Sequence, residues 1–312
     1  MSVYRSASFV KFALSGLLAL TSQPAGALII DPTWSSGVTP AEQAGFTYAA
    51  QQIETLFTND ITVNITVQPD TTLALAGSQS YIGYVSNTPT DPNYSYATIS
   101  SAINANGGPV LLPAIDPAPS GSVIAVTTAE AKAIGLYPAN DPGTDGIFGF
   151  NPNQAYTFDP NNQSVSGQYS FIGLAEHEIS EILGRITVLG QSFGNGQTFI
   201  TPMDLYRYTA VGVHSFSATD TGVYFSLDGG KTVLQNFNSN SGADLQDWAL
   251  GGNAHDAFNA YDYVGVALGI TPVDISAMQV LGYQLSAVPL PAGVWLFASG
   301  LLGWGLVGKR RR

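Results

Sequence analysis

The segment GLAEHEISEILGR, positions 173–185, constrains the fold more than any other stretch of this chain. Ala175, Ile179, Ile182, Leu183 and Ile186 recur at helical spacing, so one face of the helix is apolar and is drawn into a core. The same helix carries Glu176, His177, Glu178 and Glu181. Carboxylates pulled out of water cost free energy unless they find partners. His177 and Glu181 are four apart and stack one turn apart on one face, and Glu178 is rotated from His177 by roughly 100°. Two ligating side chains at i and i+4, with a glutamate directly after the first, are what a water-activating zinc site needs on a helix. The second ligand position holds Glu181, giving HExxE rather than HExxH. A carboxylate oxygen binds zinc at about 2.0–2.2 Å, so the change alters such a site without abolishing it. The competing structural reading makes Glu176, Glu178 and Glu181 one solvated acidic face and His177 a surface histidine.

Around this helix the pattern is mixed. Thr39-Pro40-Ala41-Glu42 is a capping box with proline at the first helical position, and it opens a helix to about Phe57. Thr127 with Glu130 opens a short helix, and Thr271-Pro272-Val273-Asp274 opens another that ends near Gly282. ITVNITV (61–67) alternates strictly and predicts a half-buried strand; SYIGYV (80–85) and SVIAVT (122–127) are further strand candidates. VYFSLDGGKTVLQNF (223–237) reads as a hairpin turning at Asp228-Gly229-Gly230. Positions 137–166 and 238–262, rich in Asn, Asp, Gly and Pro, predict long loops. The expected fold class is α+β, with a central HExxE helix, a mixed sheet and long loops.

Both ends of the chain carry targeting patterns. Arg5 and Lys11, the apolar run Phe12–Leu20 and Ala25-Gly26-Ala27 have the layout of a secretory signal peptide over 1–27. The segment 288–312 begins VPLPA, continues through 17 uncharged residues from Ala292 to Gly308, and ends Lys-Arg-Arg-Arg. As a helix that run spans roughly 25 Å, enough to anchor a chain in a bilayer, and the basic end favours the cytoplasmic side. The tail resembles the VPLPA variant of PEP-CTERM sorting signals. That resemblance implies transient membrane anchoring, cleavage near Val288–Pro291 by an exosortase-type enzyme, and release to the cell surface or medium of a bacterium after export through the cytoplasmic membrane. A plain stop-transfer anchor is the simpler alternative.

The domain between the ends, 28–287, holds four basic residues (Lys132, Arg185, Arg207, Lys231) and all 22 acidic ones, 4 − 22 = −18. So acidic a body argues against nucleic-acid partners. With no cysteine, disulfides and thiol ligands are excluded.

HEISEILGR, with MDLYRY (203–208), YFSLDGGKT (224–232) and VDISAMQVLGY (273–283), resembles a family of exported PEP-CTERM metalloproteases with an HExxE zinc motif, metzincin-like or gluzincin-like. The resemblance implies a zincin-like domain over 28–287 that hydrolyses protein or peptide substrates, with His177 and Glu181 as Zn²⁺ ligands and Glu178 as general base. It departs from metzincins at Thr187, where their third histidine sits, so a third ligand has to come from elsewhere. The setting of Asp204 loosely resembles the aspartate motif of aspzincins and makes it the first choice, with His255 second, His214 third, and no third ligand also open. Tyr206 or Tyr208 is a candidate to steady an oxyanion, against the plainer reading of both as core. Met278 sits where a Met-turn would lie, but reads as core within its helix. Asp244, Asp247, Asp256 and Asp262 crowd one Gly/Asn-rich region and suit Ca²⁺, though at no EF-hand spacing. The alternative function is a non-enzymatic extracellular matrix or adhesion protein with a structural zinc or calcium site.

Overall fold

The computed structural model describes residues 26–83, 95–106, 108–191, 198–240 and 242–286. All but the last two residues of the expected signal peptide, and the whole expected sorting tail, lie outside them. Among the described residues no helix is long and apolar enough to cross a membrane.

The fold is α+β, with five α-helices among the described residues: α1 (Pro40–Leu56), α2 (Tyr96–Ala105), α3 (Thr128–Ala133), α4 (Phe171–Ile182) and α5 (Pro272–Val280). Its central sheet has four strands in the order Leu28–Trp34, Ile61–Pro69, Gly146–Phe150, Ala76–Ser80. The first three run parallel and the last antiparallel to its neighbour. Along Ile61–Pro69, the buried residues Ile61, Val63, Ile65 and Val67 alternate with half-exposed ones, as the strict alternation of the sequence requires. α1 starts at its capping box, where Thr39 and Glu42 satisfy each other's backbone amides, and packs against α4 and the Leu28–Trp34 strand. Phe46, Phe148 and Phe171 meet in the core between these elements.

Sequence expectation and structure part company in several places. The expected loop 137–166 contains the Gly146–Phe150 strand, which pairs on both sides within the central sheet. Two glycines hide it from a β signature, and they are there for close packing. A Cβ on Gly146 would come within 2.7 Å of the Ile182 side chain of α4. Among the described residues, the candidate at 80–85 gives the end of the Ala76–Ser80 strand and the pair Ile82–Gly83, with 84–85 outside them, and 122–127 gives the two-residue strands Val123–Ile124 and Val126–Thr127. The hairpin at 223–237 is present, but only Tyr224–Phe225 and Gln235–Asn236 pair, and Asp228 knots the intervening turn by accepting from Ser226 and Thr232. Met278 is core, 2 % exposed.

Candidate metal centre

α4 begins where the Ser170 side chain accepts from the Gly173 amide and ends at Gly184, whose φ of 118° disfavours any residue with a Cβ. Every α4 residue is buried. The solvated acidic face is thereby corrected: Glu176, Glu178 and Glu181 are 4, 6 and 4 % exposed, and His177 is 8 % exposed. The sheet and α1 pack against the helix, which stays buried even where it meets the mouth of a cleft, so its polar side chains have to find partners inside the protein.

Those of His177 and Glu181 do so jointly. His177 Nδ1 lies 2.8 Å from the carbonyl oxygen of Ala257. A carbonyl only accepts, so Nδ1 is the donor there. Nε2 is turned toward Glu181 Oε1 at 3.5 Å and Asp247 Oδ1 at 3.4 Å. The three ligand atoms lie within 4.8 Å of one another, and this is the one such group among the described residues. Glu181 is fixed by Ser78, donating to Oε2 at 2.6 Å, and by the Gln246 amide, donating to Oε1 at 2.8 Å. Asp247 is fixed by Arg185, fully buried, whose Nη1 donates to Oδ1 at 2.7 Å. The guanidinium lies over the Phe258 ring, and its Nε donates to the Ser180 hydroxyl at 2.8 Å.

The electrostatics follow from this packing. Burial works against charge on Glu181, but His177, Arg185 and Ser78 outweigh it and hold the carboxyl down at about 2. Burial also disfavours a charged His177, and Asp247 and Glu181 more than offset that, so the imidazole is held above its ordinary range. Asp247 is pushed up to about 6 by burial, against His177 and Arg185. Glu178 is pushed well above the carboxylate range by burial and by Glu181, which outweigh the opposing pull of His177 and a Ser78 hydrogen bond. It lines an open cleft of about 540 Å³ together with His177, Asp247, Asp244, Tyr261 and Asp262.

The donor set fits a zinc ion. Ligands at about 2.0–2.2 Å in a tetrahedron stand roughly 3.3–3.6 Å apart, and the two His177 separations of 3.5 and 3.4 Å are of that size. The Nδ1–carbonyl bond directs Nε2 at the carboxylates, the orientation a metal-binding imidazole requires.

Of the residues expected at such a site, the structure brings together His177, Glu178 and Glu181 and leaves the others apart. Asp204 is fully buried elsewhere, capping the short helix Pro202–Tyr206. It accepts from the Thr201 amide at 2.8 Å, the Thr201 hydroxyl at 3.0 Å and the Thr187 hydroxyl at 2.6 Å, with Arg207 at 3.8 Å. Thr-Pro-x-Asp is the same cap device as at Thr271–Asp274, and cap duty consumes the carboxylate. His255 is exposed and bonds the carbonyl of Ala267; His214 stacks on Tyr208 at 4.3 Å. Tyr206 packs on Phe225 with its hydroxyl unpartnered, and Tyr208 lies between His214 and Tyr224; neither lines the cleft, whereas Tyr261 does. Of the four aspartates grouped for calcium, Asp244, Asp247 and Asp262 line the one cleft, Asp247 also joining His177, while Asp256 lies apart and accepts from Thr271 and the Phe258 amide.

Asp247 is therefore the acid that completes the group, although it stands 62 residues beyond Arg185 in the expected 238–262 loop. Three anchors hold it there. Besides Arg185, Arg207 donates to the Leu245 carbonyl at 2.7 Å, and Trp248 Nε1 donates to Asp274 at 2.6 Å. The local signal is an aspartate directly before a tryptophan, a carboxylate that its neighbour draws inward.

No known family, curated protein or solved structure matches this chain.

Proposed function

We propose that the chain is an exported zinc-dependent metallopeptidase of zincin-like fold, with His177, Glu181 and Asp247 as ligands and Glu178 as the proton carrier. The observation that carries this reading is the convergence of His177 Nε2, Glu181 Oε1 and Asp247 Oδ1 at the wall of an open cleft, beside Glu178. Peptide as substrate is supported by the sheet edge: Ala76–Ser80 is an outer strand, and Ala74, Leu75 and Ala76 line the cleft, so an extended chain can add to that edge. Bound zinc would polarise a carbonyl and lower the pKa of water at the site. Glu178 takes the proton of the attacking water on a carboxylate oxygen and passes it to the leaving amine. Ala257 fixes the His177 tautomer, Ser78 and Gln246 orient Glu181, and Arg185 orients Asp247. Export by the leader, and release by cleavage near Val288–Pro291, belong to the same proposal.

One observation favours a second reading. Arg185 already pairs with Asp247 at 2.7 Å, so the group can stand without metal as a buried ion network in a matrix or adhesion protein. Metal analysis and casein digestion on wild type and Glu178→Gln separate the two. The peptidase carries one zinc per chain; Glu178→Gln keeps it and loses activity by about 100-fold or more. A wild-type chain without zinc and without proteolysis leaves the ion network.

A further inference from the structure

The cleft that His177 opens onto is acidic far beyond what holding a metal requires. Besides Glu178 and Asp247 it is lined by Asp244 and Asp262, and by no lysine or arginine. The rest of the domain cannot supply one. Of its four cations, Lys132 is buried against Asp145 at 2.6 Å, Arg185 is committed to Asp247, and Arg207 is buried over Phe237 with a bond to Leu245. Lys231 sits in the exposed hairpin turn, next to Asp228, and is not part of the cleft.

Asp262 bears the consequence. Its Oδ1 has been removed from solvent, yet no donor reaches it. A carboxylate oxygen in that state costs free energy that only a donor can recover. Asp244 stands on the same cleft at its exposed rim. A second metal ion is disfavoured as that donor, because calcium takes six to eight oxygens, and these two aspartates belong to no group of three converging ligand atoms. An ammonium or guanidinium, brought on an extended chain along the Ala76–Ser80 edge, supplies the donor that Asp262 lacks, in a cleft that Asp244 lines as well.

We infer that Asp262 and Asp244 form a subsite for the positively charged side chain of a lysine or arginine in the peptide substrate. The inference deepens the peptidase reading and rests on it for the substrate being a peptide.

The test is fluorescence anisotropy with two labelled pentapeptides, Ala-Ala-Lys-Ala-Ala and its norleucine counterpart, added to the full mature chain with Zn²⁺ and, in a second series, with EDTA. Anisotropy needs no turnover, so a chain that holds no zinc and cuts nothing still reports on the subsite, and the two readings fail separately. The lysine peptide binds about tenfold more tightly, as one desolvated charge-assisted contact warrants, and the difference shrinks with added salt. Asp262→Asn and Asp244→Asn each reduce that preference several-fold and leave norleucine binding unchanged; Asp244, at the rim, serves should Asp262→Asn fail to fold. Equal affinity for the two peptides overturns the inference, as does a preference that survives both substitutions. So does displacement of the lysine peptide by millimolar Ca²⁺ that itself binds in calorimetry, since the aspartates would then be a cation site.

Discussion

Two buried acidic groups in this protein are built from similar parts and arranged in opposite ways. At Asp204, three short hydrogen bonds from Thr201 and Thr187 saturate the carboxylate, with Arg207 behind it. At His177, Glu181 and Asp247, an arginine also stands behind the acids, but the imidazole nitrogen and one oxygen of each carboxylate are turned toward one another beside a cleft. Burial of a carboxylate thus does not mark a ligand. What separates the two groups is coordinating capacity left over after structural partners are counted.

The sharpest way to break this comparison is to remove an arginine. Arg185→Met leaves Glu181 and Asp247 buried with their main counter-charge gone, and should cost about 3–5 kcal/mol in denaturant unfolding. A loss under about 1 kcal/mol would mean that the network is not held by this cation.

Next in size is the contrast between the two aspartates. Asp247→Asn should abolish stoichiometric zinc binding while the chain still folds. Asp204→Asn should leave zinc content unchanged and lower stability by roughly 1–3 kcal/mol, since a cap and a Thr187 tie are weakened. Zinc loss from both, read by metal analysis after dialysis, would put Asp204 back among the ligands.

The smallest effect is a matter of pH. Glu176 neighbours His177 in sequence but faces elsewhere; burial, and then Asp274, push its carboxyl up to about 8. A raised carboxyl means the folded chain keeps a proton that the unfolded chain has shed above its ordinary value. Unfolding then releases that proton, so stability falls as pH climbs from about 4.5 to about 8, at up to about 1.4 kcal/mol per pH unit. Glu176→Gln should flatten that slope, with a gain in melting temperature at pH 8 that vanishes at pH 5. A variant whose pH profile overlays the wild type would show that Glu176 is ionised throughout.

Much of the frame can be read from local pattern. The capping box at Thr39 and the alternation of 61–67 report interactions within a few residues, and both elements are where those patterns place them. The Gly146–Phe150 strand is illegible for the opposite reason. Its glycines answer to Ile182, which approaches only after α4 docks. The site divides in the same way. His177, Glu178 and Glu181 sit within one helix, where spacing alone dictates which share a face. Asp204 and Asp247 are both acids at a distance, and nothing near either says which returns to the helix.

The sequence by itself therefore determined a mixed α+β chain, a central helix too apolar to stay in water, and a histidine and glutamate one turn apart upon it, because each of these follows from chemistry and period along a short stretch. Which third acid joins them was decided only in three dimensions. Thr187 and Thr201 spend the lone pairs of Asp204, while Arg185, the Leu245 carbonyl held by Arg207, and Trp248 held by Asp274 carry Asp247 to within 3.4 Å of His177. Those partners lie tens of residues apart in the chain, and only packing brings their hydrogen bonds to one place.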